Sequence, residues 1–258
     1  MANSSNNTLQ RTAAKEIQAF LEGEAHKALL VTGARQVGKT TLIRQLGQEA
    51  FPNFVELNFL ENTAARQLFE TATDSSDFLL RLSALVGEKL VPGKTLIFLD
   101  EVQEIGGWQG VCQRLAEHEN VTLVITGSSS KLSADEIATQ FRGRSQEHAM
   151  HPLSFREYCT FHHIEAPDMS TDAGTLAVSP QQRTDLESAY DRYLVEGGFP
   201  GVQELNAGSR IQMLQAYLRD VVARDILERS GRTDIALANQ VGLFCLRNTG
   251  CDLSVNSL

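Results

Sequence analysis

The 258-residue chain is short of cysteine, proline and tryptophan, with four, six and one of them. The four cysteines, Cys112, Cys159, Cys245 and Cys251, include no C-x-x-C spacing. That argues against a thiol redox pair or a cysteine-rich zinc site and leaves buried or free thiols in a reducing compartment. No apolar run approaches the ~18 residues of a membrane-spanning helix, so no membrane partner is expected. The opening "MANSSNNTLQ" is polar and lacks the apolar core of a secretory signal, so it reads as the frayed tail of a cytoplasmic protein. An excess of positive charge is missing too. With 23 Lys and Arg against 32 Asp and Glu the formal net charge is −9, which argues against a chain-wide nucleic-acid surface but leaves room for a local one. Arg219, Arg224, Arg229 and Arg232 are interleaved with Asp220, Asp225 and Glu228, a pattern that reads first as a salt-bridged helix face. There are no internal repeats and no low-complexity tracts. At 42% hydrophobic and 21% charged residues, the chain is long enough and apolar enough to bury a full core.

The sequence is rich at "VTGARQVGKTTLIRQL", residues 31 to 46, which fits G-x-x-x-x-G-K-[ST] at Gly33, Gly38, Lys39 and Thr40. The loop runs through Ala34, Arg35, Gln36 and Val37, and Thr41 follows it. Glycines let backbone N–H groups close around an anion where a side chain would clash. A helix beginning near Lys39 points its positive dipole end at the same place. Lys39 would reach the β- and γ-phosphates of a nucleotide, and the Thr40 hydroxyl would hold Mg²⁺. The context agrees, with the apolar run "KALLVTG" before the loop and Leu42, Ile43 and Leu46 at helical spacing after it. The bland alternative is a plain glycine turn.

Patterning predicts helix over 11–22, strand over 53–59, and helices over 61–72 and 75–90, the first opened by Asn62 or Glu61 and the second by Asp74 or Ser75. A strand "TLIFLDE", a helix "WQGVCQRLAEH" and a strand "VTLVITGSSS" follow, with a weaker fifth strand in "SQEHAMHP". Continuous apolar strands alternating with helices imply an α/β fold, with a parallel five-stranded sheet between helices. From Pro152 the strand signals stop and three helical segments follow, broken by the loop-like "IEAPDMSTDAGTLAVSP". The expected organisation is a tail over 1–10, a core over 11–151, a helical lid over 152–232 and the start of a further segment over 233–258.

The strand "TLIFLDE" delivers Asp100 and Glu101 to the carboxyl edge of the sheet, where ligands of such folds bind. Asp100 would join the Mg²⁺ shell and Glu101 would orient and deprotonate a water; otherwise they mark a strand entering a solvated loop. At the end of "VTLVITGSS", Ser128 or, second, Thr126 would sense the γ-phosphate, unless the serine is only a helix cap.

Six segments, "GARQVGKTTL", "LIFLDEVQEIGGW", "LVITGSSS", "FRGRSQEHAMHPLSFREY", "YLVEGGFP" and "YLRDVVARDI", occur in this order over about residues 11 to 250. In these the chain resembles bacterial and archaeal AAA-type P-loop ATPases that carry a C-terminal domain of unknown function, and more loosely signal-transducing ATPases. The resemblance implies ATP/ADP and Mg²⁺ as ligands, with Lys39, Thr40, Asp100 and Glu101 in the roles above. It implies that Gly198, Phe199 and Pro200 pack near the adenine, although Gly197 and Pro200 also read as an ordinary helix stop. It places an arginine, Arg144 or else Arg142, at a subunit edge to reach a neighbour's γ-phosphate in a homo-oligomer; an ion pair with Glu147 is the equal alternative. It implies further that such chains run on through a winged-helix-like segment, so this one reads as truncated, with nucleic acid a partner only through the part beyond it.

Two functions stand at this stage: an ATPase whose cycle moves the lid and an effector domain, and a slow-turnover ATP/ADP-gated switch or scaffold. His148 and His151, with Cys159 nearby, are not expected to bind metal, because residues three apart on a strand point to opposite faces. Trp108 is expected in the core rather than as a stacking platform for bases, and Gln103 on an exposed loop, with reading of the bound nucleotide state as its alternative.

Overall fold

The structure, a computed structural model, describes residues 11–23, 28–72, 74–87, 90–105, 107–118, 120–127, 145–167, 178–222 and 235–250. The described elements are α1 (Ala13–Glu22), β1 (Ala28–Thr32), α2 (Lys39–Ala50), β2 (Asn53–Asn58), α3 (Thr63–Thr71), α4 (Ser75–Val86), β3 (Thr95–Asp100), α5 (Trp108–His118), β4 (Thr122–Thr126) and β5 (Ser145–Ala149). After them come α6 (Phe155–Phe161), α7 (Pro180–Glu196), α8 (Ala207–Asp220) and α9 (Ile235–Arg247). The five strands form one parallel sheet in the order β2-β3-β4-β1-β5, so the fold is the α/β class that the alternating pattern implies.

Strand alternation divides the core into two layers. Leu29, Val31, Leu96, Phe98 and Val124 face α1 and α2, whose Ile17, Phe20, Leu42, Ile43 and Leu46 are buried against them. Leu30, Ile97, Leu99, Leu123 and Ile125 face the other way, onto α3, α4 and α5. Trp108 belongs to this second layer at 4% exposure, the core place expected of it. A sheet covered on both faces exposes only its ends, and the carboxyl end of β1, β3 and β4 is where the motifs converge.

Helices α3 and α4 start at side-chain caps. Asn62 accepts from the Ala65 amide and Asp74 from the Asp77 amide, each satisfying an otherwise unpaired first-turn N–H. The helix expected from Pro152 begins only after Ser154, whose hydroxyl and Glu157 form a reciprocal capping box; Ser179 and Gln182 do the same for α7. Helix α4 stops at Gly87, which takes the left-handed conformation, rather than continuing to Leu90.

The chain divides into two compact units, Met1–Pro200 and Gly201–Leu258. Helices α6 and α7 of the expected lid fall in the first unit and α8 in the second. Among the described residues, no helix is long and apolar enough to cross a membrane.

Candidate functional site

The site begins where β1 ends. Gly33 has φ +145°, and a Cβ there would sit 2.2 Å from the Met150 carbonyl oxygen, so the close approach of the backbone after β5 requires glycine. Gly38 has φ +93°, and a Cβ there would make only ordinary contacts at 3.9 Å with the Arg11 and Met150 side chains, so there the left-handed conformation, not space, requires it. Helix α2 starts at Lys39 with Gly38 as N-cap, and no cap side chain occupies the first-turn amides. Lys39 is buried, and its Nζ donates to the Gly33 and Ala34 carbonyls, each at 2.9 Å. The lysine thus lies across the mouth of its own loop.

A polar row crosses the carboxyl edge of the sheet opposite this loop. Asn58 and Asp100 are direct cross-strand partners between β2 and β3, and β4 brings Thr126 to the other side of Asp100. Asp100 is 2% exposed and accepts from Thr40 Oγ1 at 2.9 Å, from Asn58 Nδ2 at 3.2 Å and from Thr126 Oγ1. Asn58 in turn accepts from the Leu60 and Glu61 amides, which fixes its orientation. A buried carboxylate with this many donors stays in one position. Glu101 leaves the strand in the left-handed region (φ 58°, ψ 45°), and its carboxylate lies 3.8 Å from the Arg35 guanidinium of the loop.

Thr40 and Asp100 put two hard oxygen donors together beside the loop. That donor set fits Mg²⁺, which takes one or two protein ligands and completes its shell with phosphate and water oxygens. Among the described residues, no group of three or more His, Cys, Asp and Glu is placed to hold a metal without such help. His148 Nδ1 lies 2.9 Å from Glu16 Oε2, and Cys159 is buried. Burial raises the Cys112 thiol far above its usual range; burial raises Cys159 as well, against the opposing charge of Arg156 and Arg192, so neither is a ready nucleophile.

Sequence reasoning missed Asn58, and it missed Arg11 and Glu157. Arg11, just ahead of α1, is buried; it donates through Nε to Glu157 at 3.0 Å, through Nη1 to the Val37 carbonyl of the phosphate loop at 2.8 Å, and through Nη2 to the His151 carbonyl at 2.5 Å. Burial tends to raise the Glu157 carboxyl, but the Ser154 and Thr12 amides and the Arg11 charge outweigh it and hold the carboxyl below its ordinary value. One buried ion pair therefore joins the loop, the α1 entry and the α6 cap. The S-x-x-E spacing at 154–157 was a visible signal for Glu157; nothing local marked Arg11.

The "GGFP" turn meets the "PLSF" segment directly. The Leu153 amide donates to the Gly198 carbonyl at 2.6 Å, and Tyr193 Oη donates to the Leu153 carbonyl at 2.7 Å. Phe199 packs against the apolar cluster that contains Val37 of the phosphate loop. Ser128, Arg142 and Arg144 lie outside the described residues, as does the Gln103 side chain.

Residues 25–159 match the model of a family described as an AAA domain, and residues 187–258 match a domain of unknown function, DUF8612. An uncharacterised protein of Haemophilus influenzae is 29% identical over 229 residues, 86% of this chain and 51% of that protein. One of Methanocaldococcus jannaschii is 26% identical over 235 residues, 90% of this chain and 48% of that protein. The chain thus spans about half the length of these relatives. A solved structure of C. elegans PCH-2 aligns with a TM-score of 0.46 at 12% identity, over 94% of this chain and 70% of that one.

Proposed function

The chain belongs to the AAA domain family, a class of nucleotide-dependent ATPases, and from that membership we propose that it binds ATP with Mg²⁺ and hydrolyses it to ADP and phosphate. The observation that carries the proposal is the meeting of Thr40 and Asp100 beside the glycine loop, with Glu101 one residue further along the same strand exit.

In this reading the loop amides and the first turn of α2 bind the phosphate oxygens, and Lys39 neutralises them. Thr40 and Asp100 hold Mg²⁺, while Asn58 and Thr126 keep Asp100 from turning away. The cation, when bound, draws charge from the β- and γ-phosphate oxygens. Glu101 accepts the proton of the attacking water. Thr126 spends its hydroxyl on Asp100, so the role of γ-phosphate sensor stays with Ser128 in this proposal.

The finer assignments have separate support. The reading that Gly198 and Pro200 stand beside the adenine is supported by Phe199, which packs against the cluster that holds Val37. Coupling of the cycle to lid motion over 152–232 is supported by the Arg11–Glu157 ion pair, which links the start of the lid segment to the phosphate loop through the Val37 carbonyl. Assembly into a homo-oligomer through Arg144, action on nucleic acid by a further C-terminal domain, and a cytoplasmic location rest on the family resemblance and composition alone.

The test is phosphate release from ATP with and without Mg²⁺, beside calorimetric ATP binding, for wild type and Lys39→Ala. Mg²⁺-dependent release by wild type, with binding and release both lost in the variant, supports the ATPase. Tight binding without release would make the protein a nucleotide-gated switch instead. Equal binding by Lys39→Ala would remove the site.

A further inference from the structure

We infer that Arg35 is the positioning residue for Glu101, tying the water-activating carboxylate to the phosphate loop. The inference rests on the ATPase reading above and adds to it a role for a loop side chain, where the phosphate-binding pattern asks only for backbone.

An arginine at this position has two uses available, the phosphates or the base. The geometry favours the base. Arg35 Nη1 lies 3.8 Å from Glu101 Oε2, and the two side chains are only 11% and 13% exposed, so the attraction is weakly screened. The separation exceeds hydrogen-bond length, which makes the tie one of charge to charge. A guanidinium keeps its charge throughout any working pH, as a tether must.

Glu101 is placed differently from Asp100. Asp100 sits in the ladder of β3 and is held by three side-chain donors. Glu101 has already left the strand, in a left-handed conformation that a residue with a side chain adopts only where its surroundings hold it. On the loop side, Gln36, next to Arg35, is left-handed as well (φ 65°). Among the described residues three non-glycine positions have positive φ, Gln36, Glu101 and His163; of these, Glu101 belongs to this ion pair and Gln36 adjoins its Arg35. The contact therefore joins two strained points of backbone, so that loop and base move together when phosphate occupies the loop.

The experiment uses the full chain with Arg35→Met and Arg35→Lys, each alone and in a Glu101→Gln background, and reads steady-state kcat and the calorimetric Kd for ATP with Mg²⁺. Arg35→Met is expected to lower kcat by about tenfold to a hundredfold, the size of effect that follows from a small misplacement of a reacting group. Its Kd should stay within about threefold of wild type, a difference under half a decade in binding. Arg35→Lys should recover part of kcat, and in the Glu101→Gln background Arg35→Met should cost nothing further, because the residue acts through the one already removed. An unchanged kcat overturns the inference. So does the same fold loss in both backgrounds, or a weakened Kd large enough to account for the loss, which would make Arg35 a phosphate ligand. A wild-type protein that releases no phosphate overturns the ATPase reading and this inference with it, a failure visible before any Arg35 variant is measured.

Discussion

Thr126 on β4 donates its hydroxyl to Asp100 on β3, and the two residues, 0% and 2% exposed, sit side by side on adjacent strands at the edge facing the phosphate loop. The threonine is thus a support for the acidic residue. Removing the hydroxyl by Thr126→Val keeps the volume and strips one donor from a buried carboxylate. A loss of about 1.5–3 kcal/mol is expected in a urea melt, the range for hydrogen bonds to charged groups. The Mg²⁺ concentration for half-maximal phosphate release should rise about tenfold or more, as when an outer-shell partner of a metal ligand is lost. Thr126→Ser should restore both; a valine variant with unchanged Mg²⁺ dependence would show that Asp100 is held well enough by Thr40 and Asn58.

The Arg11–Glu157 pair makes a stability prediction. Both side chains are under a tenth exposed. Arg11→Met leaves the Glu157 carboxylate buried without its cation, a situation that costs about 3–5 kcal/mol. Pairing it with Glu157→Gln removes the stranded charge, so the double variant should unfold at higher denaturant than Arg11→Met alone. A double variant that is additive in its losses would mean that the Val37 and His151 carbonyl contacts, rather than the ion pair, carry the effect.

Glu157 also sets an acid limb. Its folded-state carboxyl lies below the ordinary value, while in the unfolded chain it titrates near ~4.3. The folded state therefore binds fewer protons, and the stabilisation is fully present above the unfolded value and lost as pH falls through the depressed one. Glu157→Gln should flatten the dependence of unfolding free energy on pH below about 4.5, near the unfolded carboxyl value. Parallel curves for variant and wild type from pH 5 downward would contradict the assignment.

Much of this site could be read from residues alone, because its parts are contiguous. The loop from Gly33 to Thr40 and the strand ending Asp100–Glu101 announce themselves by local patterning, and the apolar runs place them at the same edge of a parallel sheet. What patterning could not supply was lateral order. Strand order β2-β3-β4-β1-β5 puts β4 between the loop strand and the acidic strand, and only that order makes Asn58 and Thr126 the flanks of Asp100. Arg11 was invisible for a similar reason. Its partners Val37, His151 and Glu157 are 26, 140 and 146 positions away, and a lone arginine before a helix carries no periodic signal. The late start of α6 was legible in principle, since Ser154 and Glu157 spell a capping box; the apolar residues before it drew the helix too early.

Two adjacent glycines, Gly197 and Gly198, are required for different reasons, and the difference separates a lid contact from a helix stop. Gly197 ends α7 at φ 74°, ψ 179°, a backbone region nearly closed to other residues, yet a Cβ there would meet nothing within 4 Å. Gly197→Ala should therefore cost about 1–3 kcal/mol of backbone strain and leave the neighbouring contacts where they are. Gly198 has no such conformational need. A Cβ at Gly198 would lie 2.4 Å from the Leu153 carbonyl oxygen and 3.0 Å from its amide nitrogen, so Gly198→Ala must push the "GGFP" turn off the segment before α6. The Leu153 amide then loses its Gly198 acceptor, and Phe199 is drawn from the cluster that holds Val37. Hydrogen exchange should show the Leu153 amide opening in Gly198→Ala and staying protected in Gly197→Ala. If the turn stands over the nucleotide as proposed, calorimetry should find ATP affinity weakened in Gly198→Ala and close to wild type in Gly197→Ala, although both variants melt earlier. Equal ATP affinity in the two, with the Leu153 amide open in only one, would leave the turn as a structural clasp with no part in holding nucleotide.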